Sequence, residues 1–389
     1  MRVWLLTDDR LGAAMAGSGL RAWELGRALA ACGHEVRIAA TAGSAAPDGG
    51  GPEVVDRVVW RHADAVISPA WCLPPRALLG RHRLVVDGTT PLLAELAAMP
   101  GSDEVRRRRR TAAARVPLAS ARADAVLVAG PAQEAWWRDR LRGRRAPLLQ
   151  LPFGLPDDDP PEARAEIPGV PATWSVVLWW GGVWPWLDLE TLLAARVRLG
   201  ARPVSLVVPT APRPGAGGGW SSSRLLEAAA HHGLAPPQVV PLERWIPYRE
   251  RAAVLRRAAV VAVLHHPGEE AELSFRTRAL DAVWSGVPLL LSEGGAVAAE
   301  AVAAGWGAVV PPRDPRAAAA ALELLLGDRA RQRAVQAMAR DRDRWRWSEV
   351  ARPLALALPR LPSVRRGPLL GSGLNAAAVL LGVTARGRR

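Results

Sequence analysis

Short apolar runs alternate with longer amphipathic stretches along most of this chain. Runs at Arg2–Thr7, Ala65–Ser68, Leu84–Asp87, Ala125–Ala129 and Leu148–Leu151 predict buried strands, and GlyHisGluVal opens another that ends at Ala40. Helix-like segments separate them. The first, Leu20 to Cys32, places Leu25, Ala28, Leu29 and Cys32 on one face and stops at Gly33. Between Gly154 and Thr173 the pattern lapses into Pro- and Asp-rich sequence without periodicity, which marks a linker. The alternation then restarts. Strands are predicted at 176–180, Val204–Val208, Val239–Pro241, Val260–Leu264 and Gly307–Val310, and Asp188 is a candidate N-cap for a helix with Leu189, Leu192, Leu193 and Val197 on one face. Strands that alternate with helices imply parallel sheets, with ligands at the C-terminal ends of the strands. The expected fold class is therefore α/β, with two doubly wound domains.

One stretch carries the densest chemistry, His265 to Gly295, which reads HHPGEEAELSFRTRALDAVWSGVPLLLSEGG. After the strand, a polar loop is expected to Ser274, then a helix over Phe275–Trp284 closed by Gly286 and Pro288. Leu280, Val283, Trp284 and Val287 form its core face, while Phe275, Arg278 and Asp281 lie elsewhere. Arg276 and Arg278 fall in the expected first turn, where the helix end is already positive, so an anionic partner such as a diphosphate is implied. The bland alternative is an exposed ion pair between Arg278 and Asp281, worth a few tenths of a kcal/mol.

This stretch resembles the donor-site motif of family 4 glycosyltransferases: a strand, an acid facing the donor sugar, a second acid on the next helix binding the ribose, then Gly-x-Pro. Glu272 matches the first acid and Asp281 the second, anchored by SerGlyValPro at 285–288. The two stand one residue farther apart than in the family motif, and the second is Asp rather than Glu, so Glu269 or Glu270 is an alternative first acid. Two further motifs carry the resemblance. MAGSGLRAWELGRALAACGHEV, residues 15–36, is similar to the family's opening, which implies a donor-facing loop at Gly17, Ser18 and Gly19. On its own this glycine loop lacks the dinucleotide spacing and reads equally as turn chemistry. LeuTrpTrpGlyGlyValTrpProTrpLeuAsp, residues 178–188, resembles the phosphate loop, with Gly181 and Gly182 at its centre. Most members hold the diphosphate there with basic residues, but no basic residue occurs between Ala172 and Arg196, so Arg276 and Arg278 are the expected substitutes.

The resemblance covers most of residues 1–360 and implies the GT-B arrangement, two Rossmann-like domains facing across a cleft. The division it suggests is an acceptor domain at 1–155, a linker at 156–173, a donor domain at 174–344 and a closing helix at 345–362. It further implies a metal-independent, retaining transfer from a nucleotide-diphosphate sugar to a glycan or lipid-linked acceptor. Ser274 and Phe275 join the implied donor contacts. Asp87 is a candidate acceptor-site residue by the same likeness, and equally a carboxylate that caps the following turn. The donor is a substrate, and no cofactor is implied.

Composition narrows the alternatives. The chain of 389 residues has length for two domains, and its net charge is +14. That charge fits anionic partners, but it is carried by Arg alone. The absence of lysine excludes a Walker lysine or a pyridoxal Schiff base. Arg106 to Arg110 run consecutively in a helix expected from Asp103 to Ala123, so some face solvent or an anionic membrane surface. Arg and Trp are spread along the chain rather than interleaved in one patch, which gives no support for nucleic acid. Cys32 and Cys72 are too few for a disulfide framework or zinc site and suggest a reducing compartment. The pairs His231–His232 and His265–His266 lack metal-ligand spacing, and no Gly-x-Ser-x-Gly elbow occurs. The start MRVWLLTDD is no signal peptide, and the uncharged stretch 367–385 is too rich in Gly for a membrane span. A cytoplasmic protein, with a basic tail at 363–389 able to lie at the membrane surface, is the resulting expectation.

Overall fold

The computed structural model describes residues 1–47, 50–141, 146–212 and 219–362, apart from the side chain of Arg61. The expectations for the tail at 363–389, and for the middle of the Gly-rich loop at 209–223, fall outside the described residues. The chain divides into two compact units. The first comprises Met1–Leu11, Ser18–Pro152 and the segment from Ala351 on; the second comprises Gly12–Gly17 and Phe153–Val350.

In the first unit, seven strands form one parallel sheet: β1 (Arg2–Leu6), β2 (Glu35–Ala39), β3 (Glu53–Val55), β4 (Ala65–Pro69), β5 (Arg83–Asp87), β6 (Ala125–Val128) and β7 (Leu148–Gln150). Their order is β3-β2-β1-β4-β5-β6-β7, so the chain reverses its direction of travel between β1 and β4. β4, β5 and β6 are buried along almost their whole length because helices cover both faces, which is why they read as unbroken apolar runs. Trp4, Val66, Leu84, Val86 and Val126 pack against Val116 and Ala119 of the helix Asp103–Arg122. That helix is capped by Ser102, whose hydroxyl accepts from the Val105 N–H, and Arg106 through Arg110 lie exposed on it. The segment from Ala351 returns to this unit: the carbonyl of Ala355 meets His34 Nε2 at 3.2 Å, and Arg83 donates to the carbonyl of Leu361 at 2.9 Å.

The second unit holds a six-stranded parallel sheet: β8 (Ser175–Trp179), β9 (Val204–Pro209), β10 (Val239–Leu242), β11 (Val260–Val263), β12 (Leu289–Ser292) and β13 (Gly307–Val310). The order β10-β9-β8-β11-β12-β13 puts the reversal between β8 and β11, paired at Val261↔Leu178. Asp188 caps the helix Leu189–Arg198 as expected, accepting from the Thr191 N–H at 3.0 Å. Trp347, at the start of the last helix (Trp347–Ala357), packs edge-on against Phe153 at 5.1 Å between ring centroids. Gly154 passes so close beneath Trp347 that a Cβ there would sit 2.7 Å from the indole. No helix among the described residues is long and apolar enough to cross a membrane.

Candidate functional site

In an open parallel sheet, the crevice outside the strand ends lies where the strand order reverses. In the second unit that point lies between β8 and β11, and the segments after β8, β11 and β12 converge on it. After β8 the chain enters Trp180 to Leu187, with Gly181 at φ 91°. A side chain at Gly181 would meet the Arg278 guanidinium carbon at 3.0 Å, and Arg278 Nη1 donates to the Gly182 carbonyl at 2.9 Å. The structure therefore seats Arg278 against the loop whose own sequence has no cation.

The helix carrying Arg278 starts later than its periodicity suggested. It spans Thr277–Ser285 and is preceded by a short helix, Glu269–Leu273, where a loop was expected. Between them Arg276 turns left-handed, at φ 34°. Arg276 is therefore not in the first turn but before it, and its side chain is buried rather than free. Nη1 and Nη2 donate to the carbonyls of Ser292 and Glu293, the latter at 2.8 Å, at the end of β12. Burial draws its pKa down to about 10, against the attraction of Glu270 and Glu272, which leaves it charged at neutral pH. Its place in the expected diphosphate clamp is thus corrected: Arg276 ties the site loop to the sheet.

Glu272 is exposed beside this arginine, above the turn made by Gly294 and Gly295. A Cβ on Gly294 would lie 3.1 Å from Glu272 Oε1 and 3.2 Å from Arg276 Nη2, and one on Gly295 only 2.8 Å from the Ser274 carbonyl oxygen. With φ of 99° and 70°, both positions need glycine, and Gly295 starts the helix Gly295–Ala304. This glycine pair was not singled out from sequence, although adjacent glycines between a strand and a helix are a legible signal. Ser274 accepts from the Arg276 N–H at 3.3 Å. The Phe275 ring belongs to the core, 6.0 Å from Trp345, so the side chain is not open to a donor.

Of the alternative acids, Glu269 is exposed and Glu270 is buried, with Oε2 2.8 Å from Nδ1 of the equally buried His265. Burial pushes the Glu270 carboxyl up to about 7 and holds the His265 imidazole well below its ordinary value, with Arg276 and Arg278 adding to the depression. Both groups thus favour their neutral forms. The unfolded glutamate releases its proton near its ordinary 4.5, whereas the folded one keeps it to about 7. The raised folded pKa makes the Glu270 contribution greatest below 4.5 and lost as pH rises through about 7. Glu270→Gln should flatten that part of the stability profile; urea denaturation of both proteins across this range checks it, and an unchanged slope would count against a buried neutral acid.

Asp281 lies one turn beyond Arg278 on the same helix. Its Oδ2 accepts from Trp180 Nε1 at 2.9 Å, and its Oδ1 stands 3.3 Å from Arg251 Nε. Arg251 also escaped the sequence reading, since thirty residues separate it from its partner and no periodicity links them.

In the first unit the expected site residues are less open. Gly17 groups with the second unit, where a Cβ on it would lie 4.0 Å from Thr277 Oγ1. Ser18 and Gly19 do not present a free helix end. The buried Asp9 accepts from the Gly19 N–H at 2.8 Å and from the Ser18 hydroxyl at 3.4 Å, filling the place an anion would take. Asp87 is likewise committed. Its Oδ2 pairs with Arg21 Nε at 2.6 Å, and its Oδ1 accepts from the Thr89 hydroxyl at 2.8 Å and its N–H at 3.3 Å. The geometry therefore favours the turn-capping alternative over an acceptor role. Cys72 is an inert thiol, since burial pushes its pKa upward.

The sheet orders and the sites at their reversal points identify the architecture among solved structures. A sucrose-phosphate synthase from Thermosynechococcus elongatus superposes with a TM-score of 0.66 at 17% identity, over 92% of this chain and 98% of its own. WaaG, a glycosyltransferase involved in lipopolysaccharide biosynthesis, gives 0.64 at 15% over 92% and 99%. Anabaena HepE in complex with UDP-glucose gives 0.63 at 16% over 93% and 100%. The fold is GT-B. No protein-family model matches the sequence, and no curated protein does. Within the second unit, the residues gathered at the β8–β11 reversal are Gly181, Gly182, Arg278, Asp281, Glu272, Gly294 and Gly295; in the first unit Asp87 is engaged in a buried ion pair.

Proposed function

We infer that this chain is a glycosyltransferase that moves a sugar from a UDP-sugar to an acceptor hydroxyl, with retention and without a resident metal ion. The observation that carries this reading is the seating of Arg278 on the Gly181–Gly182 loop, in the same segment as the exposed Glu272 and the half-buried Asp281. In the reaction the bond from the anomeric carbon to the diphosphate oxygen breaks and a bond to the acceptor oxygen forms. Negative charge grows on the departing diphosphate, and a preorganised cation stabilises it more in the transition state than in the ground state. Arg278 supplies that cation; the start of the helix at Gly295 adds N–H groups and a positive dipole end. Glu272 orients the donor sugar and Asp281 the ribose. With the acceptor on the leaving group's face, the departing phosphate oxygen takes the hydroxyl proton, so no separate protein base is needed. The structures of HepE with UDP-glucose and with UDP support the choice of donor.

The test is a thermal-shift series with UDP and UDP-glucose, followed by hydrolysis and transfer assays in excess EDTA. A ligand at about 100 times its Kd adds about 2.7 kcal/mol of stability. Asp281→Ala should lose most of the UDP shift. Binding without any turnover would make the chain a nucleotide-binding GT-B protein instead, and activity restored only by Mg²⁺ or Mn²⁺ would overturn the metal-free reading.

A further inference from the structure

Asp281 is held from behind by two side chains that come from different elements. Trp180 follows β8, and its indole N–H reaches Oδ2 at 2.9 Å. Arg251 starts the helix Arg251–Arg257, and its Nε stands 3.3 Å from Oδ1 without the alignment of a hydrogen bond. Arg251 is itself clamped. Its guanidinium lies 3.8 Å from the Tyr248 ring centroid and 4.7 Å from that of Trp284, and Nη1 donates to the Tyr248 carbonyl at 3.0 Å. Trp284 is fixed in turn through its indole N–H to the Asp158 carbonyl at 2.8 Å.

The two partners differ from the acid in one respect. The side chain of Arg251 is 7% exposed, whereas that of Asp281 retains 19%. An acid that served only to neutralise Arg251 would need neither the indole N–H nor an open edge. Each carboxylate oxygen has two lone-pair directions; an indole N–H behind Oδ2 and a cation beside Oδ1 fix the group while its open edge faces outward for hydroxyl groups. Asp281 also lies three residues beyond Arg278, about 4.5 Å along the helix axis. That spacing suits a vicinal diol attached close to a diphosphate, as in a ribonucleotide.

We propose that Trp180 and Arg251 are positioning residues that fix the Asp281 carboxylate to read the ribose cis-diol, and so make the site selective for ribonucleoside diphosphates. The proposal rests on the donor reading above. It adds that selectivity depends on side chains which do not touch the nucleotide. Each of the two holds a different carboxylate oxygen, so loss of either lets the carboxylate rotate.

The probes are UDP and 2′,3′-dideoxy-UDP, titrated calorimetrically into the full chain and its variants. The parent should prefer UDP by roughly 10- to 100-fold, the range for hydrogen bonds to a charged group. Trp180→Phe keeps the ring and removes only the N–H. It should reduce that preference to a few-fold by weakening UDP alone, with dideoxy-UDP affinity unchanged. Arg251→Met should do the same, with the thermal melt reporting whether it folds. A purely structural role would weaken both ligands equally or neither. A parental preference in Trp180→Phe overturns the proposal whatever Arg251→Met does. UDP binding by the parent without preference over the dideoxy form overturns it too, while leaving the UDP donor in place. Failure of the parent to bind UDP overturns the donor reading and this proposal together.

Discussion

Arg278→Gln is expected to lower turnover roughly 10²- to 10³-fold while leaving the fold intact, by analogy with deleting one preorganised donor to a developing oxyanion. Arg278 is half-buried at the β8–β11 reversal, where its Nη1 donates to the Gly182 carbonyl at 2.9 Å. That bond orients the guanidinium against the loop after β8. The loss should appear in kcat more than in KM, because the interaction strengthens as charge moves onto the diphosphate. Arg276→Gln provides the contrast. That side chain is buried, with its donors aimed at the Ser292 and Glu293 carbonyls, so its loss orphans backbone groups and costs stability first, about 2 kcal/mol. Steady-state kinetics and denaturant melts on both variants check the assignment. Parental turnover in Arg278→Gln would place the diphosphate elsewhere.

Much of this architecture was legible because buried parallel strands write themselves as apolar runs. β4, β5, β6 and β11 are buried almost throughout. β12 is as buried, yet its four residues directly after the expected helix stop were not read as a strand. β3 was not anticipated. It is a three-residue edge strand, Glu53–Val55, with no fully buried position, so neither alternation nor a run marks it. Helical period placed Leu280, Val283 and Trp284 in the core correctly, since each is buried. It failed at the start of that helix, where Arg276 adopts a conformation usual for glycine and sends its side chain under the loop. The candidate site was legible where a motif is local, as with Arg278, Asp281 and the Gly181–Gly182 loop. It was illegible where a charge finds its partner across the sequence. Asp9 reaches Gly19, Asp87 reaches Arg21, and Asp281 reaches both Trp180 and Arg251. Residue type gives the charge, but which carboxylate is already satisfied depends on packing between elements.

That distinction sets the second large effect, at Asp87. Arg21 and Asp87 are both buried, and the arginine binds more than the acid: Nη1 and Nη2 donate to the Pro152 and Leu151 carbonyls, each at 3.0 Å. The pair therefore joins the helix Gly17–Ala31 to the ends of β5 and β7 within the first unit. Removing one member leaves the other charge buried without its counterion, which costs about 3–5 kcal/mol in comparable settings. Asp87→Ala and Arg21→Met should each destabilise the protein by about that much, a large share of the ~5–15 kcal/mol typical of a folded domain. The double variant should lose less than the sum, because neither charge is stranded. Unfolding midpoints for the two single variants and the pair close the cycle. An acceptor-site Asp87 predicts another pattern, near-parental stability in Asp87→Ala with transfer abolished and UDP binding kept. A Tm within a degree or two of the parent in Asp87→Ala would return this residue to the reaction and reduce the ion pair to a minor contact.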